Sequence, residues 1–279
     1  MKNDDLHIKL NDGLLIPKIG FGTAQLRGNS GLEAITGALN NGYRFLDSAF
    51  NYDNEGTVGQ AIVNSEISRD EIVVSSKLPG RFHGYKDALR AIQESLFRMN
   101  LDYIDLYLIH WPNPMNHQYV EAWKALIEAK KLGYVRSIGV SNFLPEYIDD
   151  LIETGVTPSV NEIQVYPYFN SHSVHMYNQS HKITTIAWSP LGRSGLIFDD
   201  DKLKEIARKH HRNIAQIVLR WETQQNIIPI PRSQDKEHQL DNLNIFDFNL
   251  NQDEINLING LTRDDGRSSD QDPKTHEQH

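Results

Sequence analysis

Apolar residues in this chain gather in short continuous runs, separated by longer stretches in which they return every three or four positions. Short runs bounded by Gly, Pro or charged residues read as strands buried on both faces. Eight occur, at 18–22, 43–47, 72–78, 104–110, 135–140, 160–165, 183–188 and 227–231. Between and after them, amphipathic patterns predict helices over 32–41, 86–98, 119–131, 201–210, 214–225 and 252–261. A strand joined to the next by a helix must lie parallel to it, and eight such units close into an α/β (β/α)8 TIM barrel. Ahead of the repeat, residues 6–19 alternate around Asn11-Asp12-Gly13, a turn signal that predicts an N-terminal β-hairpin. A doubly wound open sheet is the rival, but no Gly-x-Gly-x-x-Gly follows the first strand as its dinucleotide-binding version requires. There is no internal repeat and no linker, so a single domain over 1–279 is expected. The polar tail, 263–279, is expected to be loose.

Several of these runs end on side chains that can do chemistry. Asp47 closes the second and leads into Asp47-Ser-Ala-Phe-Asn-Tyr52; Lys77 stands near the end of the third. The fourth ends in His110-Trp111-Pro112, and Asn142 follows the fifth. Each has an ordinary explanation: Asp47 as a helix cap, Tyr52 as a packed aromatic, Lys77 reaching solvent, His110 as a satisfied structural residue. Together they gather reactive groups at one end of adjacent strands, where α/β barrel enzymes place their active sites.

Composition narrows the classes. The 279 residues suffice for one barrel, and 28 basic against 37 acidic residues give a net charge of −9. Charges of both signs are interspersed, which argues against nucleic-acid or membrane partners. No run approaches the roughly 20 apolar residues needed to span a bilayer, and the first residues lack the apolar segment of a signal peptide. Cysteine is absent, which excludes disulfides, thiolate catalysis and cysteine metal sites and fits a reducing compartment. A cytoplasmic protein, monomeric and acting on a small molecule, is expected.

The motifs then resemble those of the aldo-keto reductase family, with short substrate loops as in its prokaryotic members. The resemblance runs from Gly20-Phe-Gly-Thr23 to Asn242, with Asp47, Tyr52, Lys77 and His110 at the family's tetrad positions. Gly139-Val-Ser-Asn-Phe143, Ser189-Pro-Leu-Gly192 and Ile230-Pro-Arg-Ser233 follow in the family's order. It implies reduction of aldehydes and ketones with hydride from NADPH, NADH being a weaker alternative. Tyr52 would donate the proton. A phenol of pKa near 10 is a reluctant acid, so Lys77, held by Asp47, would steady its phenolate, and His110 would hydrogen-bond the carbonyl oxygen.

The resemblance also implies a cofactor site of Gly22, Thr23, Asp47, Ser141, Asn142, Glu162, Trp188, Ser189, Leu191, Gly192, Arg232, Ser233, His238 and Asn242. Ser141 and Asn142 would meet the nicotinamide carboxamide, and Trp188 would stack on the ring. The backbone at Ser189, Leu191 and Gly192 would meet the pyrophosphate, and Arg232, Ser233, His238 and Asn242 the adenosine end. There are departures from the family's wording. Asn161-Glu162-Ile163-Gln164 exchanges an amide and an acid, Arg232 replaces a common lysine, and His238 replaces a common arginine, which loosens NADPH over NADH preference. Short segments after Trp111 and Gly192 predict an open cleft walled by Phe21, Phe50, Tyr52, His110 and Trp111.

Two other chemistries and one non-enzyme reading fit the residues less well. Lys77 as a Schiff-base lysine leaves Asp47 and Tyr52 unexplained. His172, His175, His210 and His211 lack a carboxylate set for a metal and are expected at the surface on helices. A cofactor-binding, redox-sensing partner subunit on the same fold would not need Tyr52, Lys77 and His110 together.

Overall fold

The computed structural model describes residues 6–267 and 271–278. Its eight parallel strands are β3 (Phe21–Gly22), β4 (Phe45–Asp47), β5 (Val73–Leu78), β6 (Ile104–Ile109), β7 (Val135–Ser141), β8 (Val160–Gln164), β9 (Thr184–Trp188) and β10 (Ile227–Pro229). They pair in chain order, each parallel to the next. The first and last strands meet through Gly20 N donating to Pro229 O at 2.9 Å and Gly22 N to Pro231 O at 3.0 Å. Closure needs glycine here, because a Cβ on Gly22 would lie 2.8 Å from Ile230 O. All eight strand expectations therefore stand, within a few residues at each end.

β5 and β6 are buried at every position, as strands covered on both faces must be. Phe45, Leu106, Leu108, Val160, Ile186 and Ile228 pack in one cluster with Leu10 and Ile16 of the N-terminal hairpin. That hairpin, β1 (His7–Lys9) and β2 (Leu15–Pro17), is antiparallel and stops the end of the barrel where the parallel strands start. The other end is left for chemistry. A second, larger apolar layer, including Ile35, Leu39, Ile92, Trp123 and Leu126, lies between strands and helices.

The predicted helices appear as α1 (Gly28–Asn41), α3 (Tyr85–Met99), α4 (Tyr119–Lys131), α7 (Asp201–His210), α8 (Ile214–Gln224) and α10 (Gln252–Asn259). Four more carry no bounds in the sequence pattern: α2 (Glu55–Val63), α5 (Pro145–Ile152), α6 (His172–Ser180), where only a helix holding His172 and His175 was expected, and α9 (Lys236–Leu243). Each has only eight or nine residues, too short for a clear period. In α2 the glycine that hides the pattern has a use. A Cβ on Gly59 would sit 1.9 Å from Met99 O, so the close approach of α2 to α3 depends on it.

Three surface expectations need correction. His175 is buried, with Nδ1 3.0 Å from Thr185 Oγ1, because α6 turns that residue onto β9. His210 is half-buried and its Nε2 meets Glu254 Oε2 at 3.0 Å, so it links α7 to α10. The tail is not loose where it is described. Arg263 N donates to Tyr168 O at 3.0 Å, and residues 271–278 return across the loop after β6. Among the described residues no helix is long and apolar enough to cross a membrane.

Candidate active site

Alternation along a strand sends Ser75 and Lys77 of β5 to the same side, and Ser75 is the register partner of Asp47 on β4. Both therefore reach one carboxylate. Ser75 Oγ donates to Asp47 Oδ1 at 2.6 Å. Lys77 Nζ donates to Asp47 Oδ1 and Oδ2 at 2.6 and 2.7 Å and to Ser48 O at 2.9 Å. Thr23 Oγ1 donates to Asp47 O at 2.8 Å and so supports the pair from outside the cleft. Lys77 is wholly buried. Burial works against its charge, but Asp47 first, then Glu162 and Tyr52, outweigh it and hold its pKa above the ordinary lysine range.

Tyr52, at the end of a short turn after β4, brings its ring centre to 5.3 Å from Lys77 Nζ and 5.8 Å from the His110 ring, edge to face. The Tyr52 hydroxyl is pushed up to about 12 by desolvation, with Lys77 pulling it down. Lys77 thus acts in the expected direction, and the resting phenol stays firmly protonated. His110, one residue past β6, is held well below the usual histidine range by burial, then by Lys77 and His276. It is a neutral imidazole, able to donate one hydrogen bond without carrying charge.

Asp47, Tyr52 and His110 line one end of a cleft of about 750 Å³, within the range of small-molecule and cofactor sites, and Lys77 lies buried behind them. Ser141, Asn142, Glu162 and Trp188 form the adjoining wall, and Gly22, Ser189, Leu191, Gly192 and Arg232 continue it. Trp188 Nε1 donates to Asn142 Oδ1 at 2.9 Å, which fixes the indole. Asn142, in a left-handed backbone at φ 61°, spends its amide hydrogens on His110 O and Ser141 Oγ, both at 3.0 Å. Ser141 Oγ donates to Glu162 O at 3.0 Å. Both side chains are therefore committed within the protein, and the open polar atom of this wall is Glu162 Oε2, buried with no hydrogen-bond partner among the described residues. The wall suits a nicotinamide nucleotide: a fixed indole face, an unsatisfied polar atom beside the tetrad, and cationic groups farther along.

Arg193 is one of those cations and was missed in the sequence, where only its place after Gly192 marked it. Its guanidinium lies 5.3 Å from the Trp188 ring centre, and its Nε donates to Ser189 Oγ at 3.2 Å. Arg232 Nη1 donates to Ala24 O at 2.8 Å and also to Gln25 Oε1. Ser233, His238 and Asn242 lie off this cleft. Ser233 Oγ accepts from Asp235 N at 3.0 Å, and the exposed His238 ring lies 4.0 Å from Asp235 Oδ1. Asn242 is buried beside the Tyr43 hydroxyl.

The substrate wall differs from expectation. Phe21 packs on Tyr43 with ring centres 5.2 Å apart, and Phe50 lies against Phe82 at 5.4 Å with the Arg98 guanidinium 3.9 Å from its ring centre. Both belong to the apolar core, since each points away from the barrel axis. Trp111 does face the cleft, but the His276 ring sits 4.4 Å from it. Nor is the mouth open. Asn113 Nδ2 donates to Gln278 O at 2.8 Å, Gln278 N to Asn113 Oδ1 at 3.1 Å, and Met115 N to Glu277 Oε1 at 2.7 Å. Gln278 Nε2 reaches His110 Nδ1 at 3.1 Å. Gln271 and Gln278 thereby become cleft residues that nothing in their polar sequence announced. Among the described residues no group of three or more His, Asp or Glu could hold a metal ion.

Residues 18–263 match the family model of the Aldo/keto reductase family. The chain belongs to that family. It is 45% identical to the 2,5-diketo-D-gluconic acid reductase B of Corynebacterium sp. (strain SHS752001) over 97% of this chain and 98% of that protein. Against the glyoxal reductase of Bacillus subtilis (strain 168) the identity is 37%, over 92% and 93%. The crystal structure of Gox0644 superposes with a TM-score of 0.92 at 39% identity, covering 97% of this chain and 98% of that one. A mutant of Gox0644 is also known in complex with NADPH, at the same TM-score of 0.92. An aldo-keto reductase converts aldehydes and ketones to alcohols with hydride from NADP(H). Both curated relatives are named as reductases, which gives the partner-subunit reading no support.

Proposed function

We propose that Tyr52, His110, Lys77 and Asp47 are the catalytic set of an NADPH-preferring reductase, an oxidoreductase acting on carbonyl groups of small polar dicarbonyl compounds. The observation that carries this is the buried Lys77–Asp47 pair directly beneath Tyr52 and His110 at the mouth of the cleft. A bound NADPH supplies the hydride. The neutral His110 donates to the carbonyl oxygen and fixes its position. Tyr52 gives that oxygen its proton, and the Lys77 ammonium, held charged by Asp47, stabilises the phenolate left behind. The edge contact of Tyr52 with His110 supports a reading in which both donors serve one oxygen.

The cofactor would run along the wall from Glu162, Asn142 and Trp188 toward Gly192, Arg193 and Arg232. Its reacting ring has to lie at the Tyr52 end, because hydride and proton reach the same carbonyl. Relatives named for 2,5-diketo-D-gluconic acid, methylglyoxal and glyoxal support a polar dicarbonyl. So does a mouth furnished with Asn51, Gln271 and Gln278. The same proposal has residues 1–279 acting as one barrel domain, as a monomer, in a reducing cytoplasm suited to a cysteine-free chain.

The test is spectrophotometric. NADPH absorbance should fall when methylglyoxal or glyoxal is added to the purified protein, faster than with NADH. A protein that binds NADPH yet leaves it unconsumed across a panel of aldehydes and ketones would contradict the proposal.

A further inference from the structure

Two carboxylates share one lysine in this site. Asp47 takes the short contacts, at 2.6 and 2.7 Å, while Glu162 Oε1 stands 3.3 Å from the same Nζ. All three groups are almost fully buried. Asp47, Glu162 and Lys77 together would carry a net negative charge if all were ionised, in a place where water cannot screen it. The other groups around Glu162 do little to offset this. Tyr52 and His110 are neutral, Ser141, Asn142 and Trp188 are uncharged, and the Arg193 guanidinium, 5.3 Å from the Trp188 ring centre, acts on Tyr52 and is not among the main influences on Glu162. Glu162 Oε2 has no hydrogen-bond partner among the described residues, although it lies in the wall of the cleft. A carboxyl group in this position is a proton holder more readily than a charge.

We infer that Glu162 distinguishes the two oxidation states of the cofactor, remaining a carboxylic acid beside a neutral nicotinamide and releasing its proton to solvent beside a cationic one. This rests on the proposed placement of the nicotinamide at the Tyr52 end of the cleft. The chemistry balances without any further reactant. Reduced nicotinamide is uncharged and oxidised nicotinamide carries one positive charge, so loss of one proton from Glu162 keeps the buried charge of the site constant. As an acid, Glu162 offers the wall both an O–H donor and a carbonyl acceptor. Ser141 and Asn142, already paired, have no hydrogen left to give. As a carboxylate, it faces the ring's charge at close range. Burial, then the Asp47 charge, raises its pKa to about 8, with Lys77 opposing, so the acid form prevails at neutral pH in the free protein.

The experiment measures protons and binding. Wild type is mixed at pH 7 in very weak buffer with NADP+ or NADPH, and proton release is read with an indicator dye. In parallel, tryptophan fluorescence gives the Kd of each nucleotide from pH 6 to 9. The difference between the nucleotides cancels protons moved by their shared phosphates. About 0.4–0.9 of a proton more should be released per NADP+ bound than per NADPH bound, as a pKa of about 8 falls by about 1–3 units. The Kd ratio should shift toward NADP+ as pH rises, by about tenfold or more, since an opposite charge at this range moves a carboxyl pKa by about 1–3 units. Glu162→Gln should abolish both the extra proton and the pH dependence of the ratio. Equal proton release with the two nucleotides in wild type, or a Glu162→Gln protein that keeps the extra release, would overturn the inference while leaving the cofactor assignment intact. No binding of either nucleotide would overturn the assignment and the inference together.

Discussion

Gln278 holds its side-chain amide 3.1 Å from His110 Nδ1, so the tail of the chain touches the residue proposed to grip the substrate's oxygen. An amide N–H can only donate. The contact therefore makes Nδ1 the acceptor and leaves the imidazole proton on Nε2, free to be donated. The same contact narrows the mouth. Deleting residues 274–279 should raise kcat/KM for bulky aromatic aldehydes relative to methylglyoxal by about tenfold, the scale of a single pocket contact. NADPH affinity should change much less. A substrate panel with both proteins checks this, and an unchanged selectivity would free the tail of any role in the pocket.

Lys77 carries the charge balance of the site. Lys77→Met leaves Asp47 and Glu162 buried together without a cation, which should cost about 3–5 kcal/mol at pH 8. Glu162, no longer held down by Lys77, would titrate still farther above its unfolded value, so the folded state would bind more protons and stability would fall as pH rises. The deficit against wild type should therefore shrink as pH is lowered from 8 to 5. Urea denaturation at the two pH values measures it, and a deficit that grew toward pH 5 would contradict the account.

Much of this was legible in the sequence, and the misses share a cause. Strand ends announce themselves because a buried apolar run must stop, and Asp47, Lys77 and His110 stand where such runs stop. What depends on which way a side chain turns was not legible. Phe21 and Phe50 sit one and two residues from cleft positions, Gly22 and Tyr52, yet point into the core. The paired state of Asn142 requires His110 O, Ser141 and Trp188 to converge from three strand ends, which no local pattern encodes. The tail was misjudged because polar composition reports a missing apolar core and says nothing of hydrogen bonds to Asn113 and Met115.

Glu222, on α8, is completely buried, and neither carboxylate oxygen has a hydrogen-bond partner among the described residues. Burial holds its pKa well above the ordinary carboxylate range. In the unfolded chain it ionises near the usual pKa of about 4.3, so the folded state keeps a proton that the unfolded state has lost. Stability must then fall as pH rises from about 5 toward the folded pKa. Glu222→Gln cannot ionise, so its Tm relative to wild type should be higher at pH 8 than at pH 5. Parallel pH profiles for the two proteins would exclude Glu222 as the titrating group.

Arg232 and His238 bear on the choice of nucleotide. Arg232 is always charged and lies on the cleft, whereas His238 is exposed, off the cleft, with Asp235 as its neighbour. NADPH should be preferred, with measurable NADH activity. Arg232→Ala should lower the preference by about tenfold, the scale of a single pocket contact, whereas His238→Ala should leave it nearly unchanged. The measurement is the kcat/KM ratio for the two cofactors in the three proteins. A preference that fell with His238→Ala and survived Arg232→Ala would contradict this placement.

The central claim is that Tyr52 delivers the proton from a hydroxyl that Lys77 and Asp47 prepare. Tyr52→Phe keeps the ring and its edge contact with His110 and removes only the acid. NADPH binding, followed by fluorescence, should stay within about twofold of wild type. Turnover of methylglyoxal should fall by about 10²–10⁴-fold, the usual contribution of a general acid. A Tyr52→Phe enzyme that kept more than about a third of wild-type turnover would show that another group protonates the product.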